Sequence, residues 1–156
     1  MSDGSDRFTL DTNILVYSVD NAAGAKHRLA IEIVDRAAER DCCLTLQALS
    51  EFYAAVTRKG IVRPLDADAQ ASDWLDIFPC AGASPAAVRV ALMQAAASRA
   101  AYWDALLIAT AREAGCEIIL TEDLGDGAMV GGVTIHNPFA ARGQLSKTAQ
   151  DLLGVA

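Results

Sequence analysis

Short apolar runs alternate with longer segments of helical periodicity along nearly the whole chain, and this alternation constrains the fold more than any other feature. Residues 7–11 (RFTLD) form an apolar run that closes on an acid and reads as a buried strand. Residues 42–46 and 117–121 read as further strands, 77–80 as a weak one and 133–135 as a fifth. Between them, helical spacing covers residues 24–41, 47–59, 65–75, 85–98 and 102–114. Gly60 and Gly115 serve as stop signals, and Pro85 opens its segment. Strands that alternate with helices predict an α/β layer structure around a central, mostly parallel sheet of four or five strands.

At 156 residues with 53% apolar content, the chain is long enough for one domain with its own core. The expected division is a single domain over 1–156, with a core of about 7–139 and a peripheral C-terminal tail over 140–156. Membrane insertion is not expected, because the most apolar helical stretch, 102–111, is short and carries Asp104. The N-terminus is polar and acidic, unlike a signal peptide. Cys42, Cys43, Cys80 and Cys116 form no CxxC pair and sit in or beside apolar runs, so reduced, buried thiols in a cytoplasmic protein are the expectation. Twenty acids against thirteen bases give a net charge of −7, which argues against a nucleic-acid partner only if the carboxylates are spread over a solvated surface.

Four acids fall where α/β sheets gather functional groups, at strand carboxyl ends and adjacent helix starts. Asp11 ends the first strand, Glu51 lies in the first turn of the helix after the second, Asp104 in the first turn of the helix before the fourth, and Asp123 follows the fourth. Each alone has an ordinary explanation as a helix cap or dipole partner. Their contexts differ from that, since Asp104 sits between Trp103 and Ala105-Leu106-Leu107, and Glu51 between Leu49 and Phe52-Tyr53. Carboxylates among core-like residues, with Arg58 and Arg99 more than a helical turn away, repel one another unless a cation joins them. Oxygen ligands without His or Cys point to Mg²⁺ or Mn²⁺, and calcium is disfavoured by the absence of EF-hand spacing. The chemistry implied is phosphodiester hydrolysis.

The sequence resembles the PIN-domain ribonucleases, and within them the VapC-type toxins of type II toxin–antitoxin pairs. The resemblance runs from Phe8 to Phe139. It rests on FTLDTNILVY (8–17), SEFY (50–53), WDALLIA (103–109), ILTEDL (119–124), Gly127 and NPF (137–139). It implies a three-layer PIN-like domain in which Asp11, Glu51, Asp104 and Asp123 hold Mg²⁺ or Mn²⁺ and direct water at RNA, leaving a 5′-phosphate and a 3′-hydroxyl. Asn13 and Thr121 match polar positions that orient the first aspartate. The resemblance also implies a homodimer, inhibition by a small cognate antitoxin, and structured RNA such as tRNA as substrate.

Other features carry less. Arg58, Lys59 and Arg63 are candidate RNA contacts, as are Lys26 and Arg28 around His27, although solvated helix ends explain each one singly. Glu122 and Asp126 read as solvated loop acids, with outer-sphere help to the metal as the other possibility. His27 and His136 belong to no catalytic constellation. Gly125, Gly127, Gly131 and Gly132 read as turns, because the residues after them have strand character. Trp74, Tyr53, Tyr102 and Trp103 read as core or dimer-face residues. Two alternatives to a nuclease toxin stand: a different acid- and Mg²⁺-dependent phosphohydrolase, or a non-catalytic PIN-like RNA- or protein-binding module. A haloacid-dehalogenase-like phosphatase fits poorly, since it wants an aspartate two residues after Asp11, where Asn13 stands, and the only lysine beyond Lys59 is Lys147.

Overall fold

Strand β1 (Phe8–Leu10) pairs in parallel with β4 (Ile118–Leu120), which pairs in parallel with β6 (Val133–His136); β5 (Met129–Val130) closes the edge antiparallel to β6. The computed structural model describes residues 6–155; most of the polar N-terminal stretch, residues 1–5, lies outside the described range, as does Ala156. The central sheet therefore has four strands in the order β1-β4-β6-β5. A second parallel pair, β2 (Leu44–Thr45) with β3 (Cys80–Ala81), adjoins β1 through a bridge between Phe8 and Cys42 and a Cys43 N–H to Phe8 carbonyl bond of 3.0 Å. The expected PIN-like α/β fold with a mostly parallel sheet is the one observed.

Both faces of the sheet are covered, which is why β1 and β4 are buried along almost their whole length. On one face α1 (Thr12–Val19), α2 (Ala25–Ala37), α3 (Leu46–Arg58) and α4 (Pro64–Ile77) pack over Phe8, Leu10, Leu44 and Leu120. Phe52 is fully buried there, edge-on to Trp74 with ring centroids 4.8 Å apart. On the other face Leu107, Ile108 and Ala111 of α6 (Tyr102–Glu113) cover Ile119 and Val133, and α5 (Pro85–Ala96) packs on α6. Gly131 and Gly132, both at positive φ, form the β5–β6 turn.

Three expectations are corrected. Helix α1 is absent from the sequence reading because Ile, Val and Tyr at 14, 16, 17 and 19 favour strand; burial of Ile14 and Leu15 decides the outcome. The weak strand at 77–80 begins later, since α4 runs through Ile77 and the Phe78 N–H still bonds the Trp74 carbonyl at 3.0 Å. The tail after 140 is not peripheral. A β7–β8 hairpin (Phe139–Ala140 and Gln144–Leu145) leads into α7 (Lys147–Leu153), which buries Ala149, Leu152 and Leu153 in the main core.

Candidate active site

The parallel register Leu10↔Leu120 places the next residue of each strand, Asp11 and Thr121, side by side at the carboxyl end of the sheet. Asp11 is anchored there by its own N–H to the Leu120 carbonyl at 3.0 Å. Its carboxylate caps α1, accepting the Thr12 N–H at 2.7 Å and the Thr121 hydroxyl at 2.7 Å. The Thr121 hydroxyl, fully buried, uses its whole capacity, because it also accepts the Asn13 side-chain amide and the Asp123 N–H, each at 3.1 Å.

Asn13 Nδ2 also donates to Asp123 Oδ2 at 2.9 Å. Asn13 thus holds Asp123 rather than the first aspartate, and that part of the sequence expectation is corrected: Thr121 alone of the pair bonds Asp11. On the other side, Glu51 accepts the Thr12 hydroxyl at 3.1 Å and Gln47 Nε2 at 3.0 Å. Gln47 Nε2 also reaches the Trp103 carbonyl at 2.9 Å, in the first turn of α6 beside Asp104. Thr12 and Gln47 escaped the sequence reading. The available signal for Gln47 was its place four residues before Glu51, on the same face of one helix.

The electrostatics follow from burial and sign. Asp11 is raised above the usual aspartate range chiefly by desolvation, opposed by its Thr121 and Thr12 hydrogen bonds and reinforced by the charges of Asp123 and Glu51. Asp104 is raised by desolvation, then by Asp123 and Glu51. Asp11 and Asp104 therefore both lie in the field of Asp123 and Glu51, and among the described residues none of the four is in an ion pair. Their oxygens are the donor type that Mg²⁺ or Mn²⁺ takes. As the side chains stand, with Glu51 and Asp123 held by neutral donors, no three acids, imidazoles or thiols among the described residues close tightly on one point. The fit is thus one of donor type and charge. The Asn13 Oδ1 and Gln47 Oε1 atoms are both buried without a protein partner.

Several other candidates lie apart. Glu122 turns away from its neighbour Asp123: the Tyr17 hydroxyl donates to it, and Lys26 Nζ pairs with it at 2.7 Å beside the Tyr17 and Phe139 rings. Neither reading of Glu122, as a solvated loop acid or an outer-sphere helper, describes it. Asp126 accepts the Asn137 N–H at 2.9 Å and so fastens its loop to the end of β6. Arg58 and Lys59 are exposed at the far end of α3, Arg58 two turns beyond Glu51 on the same face, and Arg63 is exposed but paired with Asp66 at 3.0 Å. His27 Nδ1 sits 2.8 Å from the Tyr17 carbonyl, and His136 Nδ1 lies 4.0 Å from Asp126, so neither histidine contacts the four acids. Trp74 is core, whereas Trp103 is 62% exposed. All four cysteines are free; burial pushes the Cys116 thiol up to about 12 and Cys42 well above its ordinary range, so both stay protonated.

The PIN domain family model matches residues 8–125, well over half of the chain. No curated protein sequence matches it. Among solved structures, the chain is similar to VapBC2 from Rickettsia felis bound to a promoter DNA fragment, with a TM-score of 0.61 at 12% identity over 84% of this chain and 98% of that one. It is also similar to Mycobacterium tuberculosis VapC20, described as a Sarcin-Ricin loop cleaving toxin, with a TM-score of 0.58 at 17% identity over 74% and 91% of the two chains. DNA-bound VapBC from Salmonella typhimurium gives a TM-score of 0.57 at 16% identity over 83% and 96%. At these identities the structural likeness concerns the fold, and the family rests on the match through the residues that carry Asp11, Glu51, Asp104 and Asp123. The chain belongs to the PIN-domain family.

Proposed function

We propose that this protein is a metal-dependent endoribonuclease, the toxin of a toxin–antitoxin pair, held inactive by a small cognate antitoxin. The observation that carries the reading is that Asp11 and Asp104, near the carboxyl end of a parallel sheet, are both raised by burial and by the charges of Asp123 and Glu51, with no basic partner to any of the four among the described residues. Asp11, Glu51, Asp104 and Asp123 would hold Mg²⁺ or Mn²⁺. The chemistry such an ion supplies is a water of lowered pKa and charge stabilisation at the scissile phosphate.

The chain's own contribution is orientation. Thr121 and the Thr12 N–H fix Asp11, Asn13 fixes Asp123, and Thr12 and Gln47 fix Glu51. His27 and His136 are engaged by the Tyr17 carbonyl and Asp126 rather than by any of the four acids, so water activation would fall to a cation held by Asp11, Glu51, Asp104 and Asp123. Exposed Arg58, Lys59 and Arg63 are proposed as outer phosphate contacts on an otherwise acidic molecule. A homodimer and a structured RNA substrate such as tRNA complete the reading. VapC20, whose description names Sarcin-Ricin loop cleavage, and the two VapBC complexes support it by analogy of fold.

The test is cleavage of RNA by purified protein freed of any antitoxin. Cleavage is expected with Mg²⁺ or Mn²⁺ and not in excess EDTA, and it is lost in Asp11→Asn. Growth arrest on expression, relieved by co-expressing the adjacent small gene, identifies the toxin. Cleavage that persists in EDTA refutes the metal mechanism. Binding of RNA without cleavage under every ion condition favours the non-catalytic module.

A further inference from the structure

Gln47 differs from the other residues that orient the acids, because among the described residues it is the one side chain that bonds both the Glu51 carboxylate and the start of the helix carrying Asp104. Its Nε2 donates to Glu51 Oε1 at 3.0 Å and to the Trp103 carbonyl at 2.9 Å. Both partners are acceptors, so only the NH₂ end of the amide can face them; the reverse orientation would set oxygen against two oxygens. The carbonyl Oε1 is buried and bonds no protein group. The amide is thus held by its two donor bonds at the expense of its acceptor.

The two helices joined by this amide come from distant parts of the sequence and lie on opposite faces of the sheet, α3 with the main core and α6 with the second. Thr12 ties Glu51 back to Asp11 from the other side. Among the described residues no hydrogen bond runs from any other side chain to both α3 and α6 at the acid end. Resting on the nuclease reading above, we propose that Gln47 is a positioning residue that sets the distance of Glu51 from Asp104 and thereby the affinity of the acid site for its divalent ion. It need not touch the substrate. Groups that orient ligating carboxylates typically change metal affinity about 10–100-fold when removed.

The experiment uses the full chain stripped of divalent ions, with Mn²⁺ binding followed by calorimetry and RNA cleavage titrated with Mg²⁺. Gln47→Met keeps the length and removes both donors. Its Mn²⁺ affinity is expected to fall about tenfold or more, the Mg²⁺ needed for half-maximal cleavage to rise in parallel, and KM for RNA at saturating Mg²⁺ to stay that of the wild type. In a Glu51→Ala background, where the spacing no longer matters, Gln47→Met should leave Mn²⁺ affinity unchanged. If Gln47→Met does not fold, Gln47→Asn, one methylene too short to span both acceptors, carries the same expectation. Wild-type Mn²⁺ affinity in the variant, or an undiminished effect in the Glu51→Ala background, overturns the role of Gln47 while the wild-type nuclease stands. A wild type that neither binds Mn²⁺ nor cleaves RNA overturns the functional reading, and this role with it.

Discussion

The Thr121 hydroxyl donates to Asp11 Oδ2 at 2.7 Å across the β1–β4 boundary, and the same oxygen accepts from Asn13 and from the Asp123 N–H. One buried atom therefore fixes two of the four acids. The parallel register makes this unavoidable: once Leu10 pairs with Leu120, the residues that follow must meet at the sheet's carboxyl end.

Thr121→Val keeps the shape and removes all three bonds. It leaves the Asp123 N–H without an acceptor, the Asn13 amide with Asp123 Oδ2 alone, and Asp11 with one donor fewer. A destabilisation of about 1–3 kcal/mol follows from the unpaired groups, read as a lower denaturant midpoint at unchanged slope. Metal-dependent cleavage is expected to fall about 10–100-fold. Thr121→Ser, which restores the hydroxyl, should recover most of both; a serine variant as poor as valine would show that packing, not hydrogen bonding, is what Thr121 supplies.

Asp104 carries a different signature. Its carboxyl is raised above the ordinary value of 3.8 by desolvation and by the charges of Asp123 and Glu51. Between that value and the raised one, the folded chain binds more protons than the unfolded chain, so stability falls as pH rises through this window and stays lower at neutral pH. Asp104→Asn removes the penalty. Since the group is partly solvated, the gain is small, on the order of 1 °C in Tm at pH 7. It should vanish as pH drops to the ordinary aspartate value. The same variant loses cleavage, so a melt that rises while activity disappears marks a residue kept for function at a cost in stability. An Asp104→Asn protein less stable than wild type at pH 7 contradicts the repulsion.

How much of this was legible in the sequence depends on which physical signal each residue carries. The acids Asp11, Glu51, Asp104 and Asp123 were readable as candidates because each falls near a strand end or a helix start, and Glu51 and Asp104 also lie among apolar neighbours, where a lone carboxylate is expensive. Helix α1 was not, since local preference at Ile14, Val16 and Val19 favours strand, and only the Asp11 cap and tertiary burial reverse it. Asn13 was placed at the site by position, yet its true partner, Asp123, depends on how the loop after β4 folds back. For Gln47 only the pairing with Glu51 four residues on was open to local pattern; its bond to the Trp103 carbonyl spans 56 residues, and no local pattern encodes it.

The C-terminal segment offers a stability test free of the site chemistry. Leu153 is fully buried in the main core, although it lies in the stretch that reads as a tail. Leu153→Ala is expected to cost about 2–5 kcal/mol, as deletion of buried methyls in a packed core does. The measurement is the denaturant midpoint, with RNA cleavage well below that midpoint unchanged. A shift within experimental error would mean that α7 docks too loosely to count as core.

Adjacent carboxylates at 122 and 123 make the sharpest contrast, since backbone proximity to the site is almost the same for both while their side chains diverge. Asp123 is exposed and bonded by Asn13; Glu122 is turned into the Tyr17 hydroxyl and the Lys26 ammonium, its charge already matched. A carboxylate so engaged would contribute little field to a cation bound by the proposed quartet, and neutralising it leaves those four acids unchanged. Glu122→Gln is therefore expected to keep cleavage within severalfold of wild type at the same Mg²⁺ requirement, because an amide still accepts from Tyr17. Its cost appears in stability, where Lys26 loses its partner; the pair is half-exposed on the lysine side, so the loss is about 1 kcal/mol or less. Asp123→Asn removes charge from the site itself and is expected to abolish cleavage with little change in Tm. Measuring both variants for Mg²⁺-dependent RNA cleavage and thermal melting separates the roles. Equal loss of activity in the two would place Glu122 in the metal site after all and would require the loop after β4 to turn its side chains the other way.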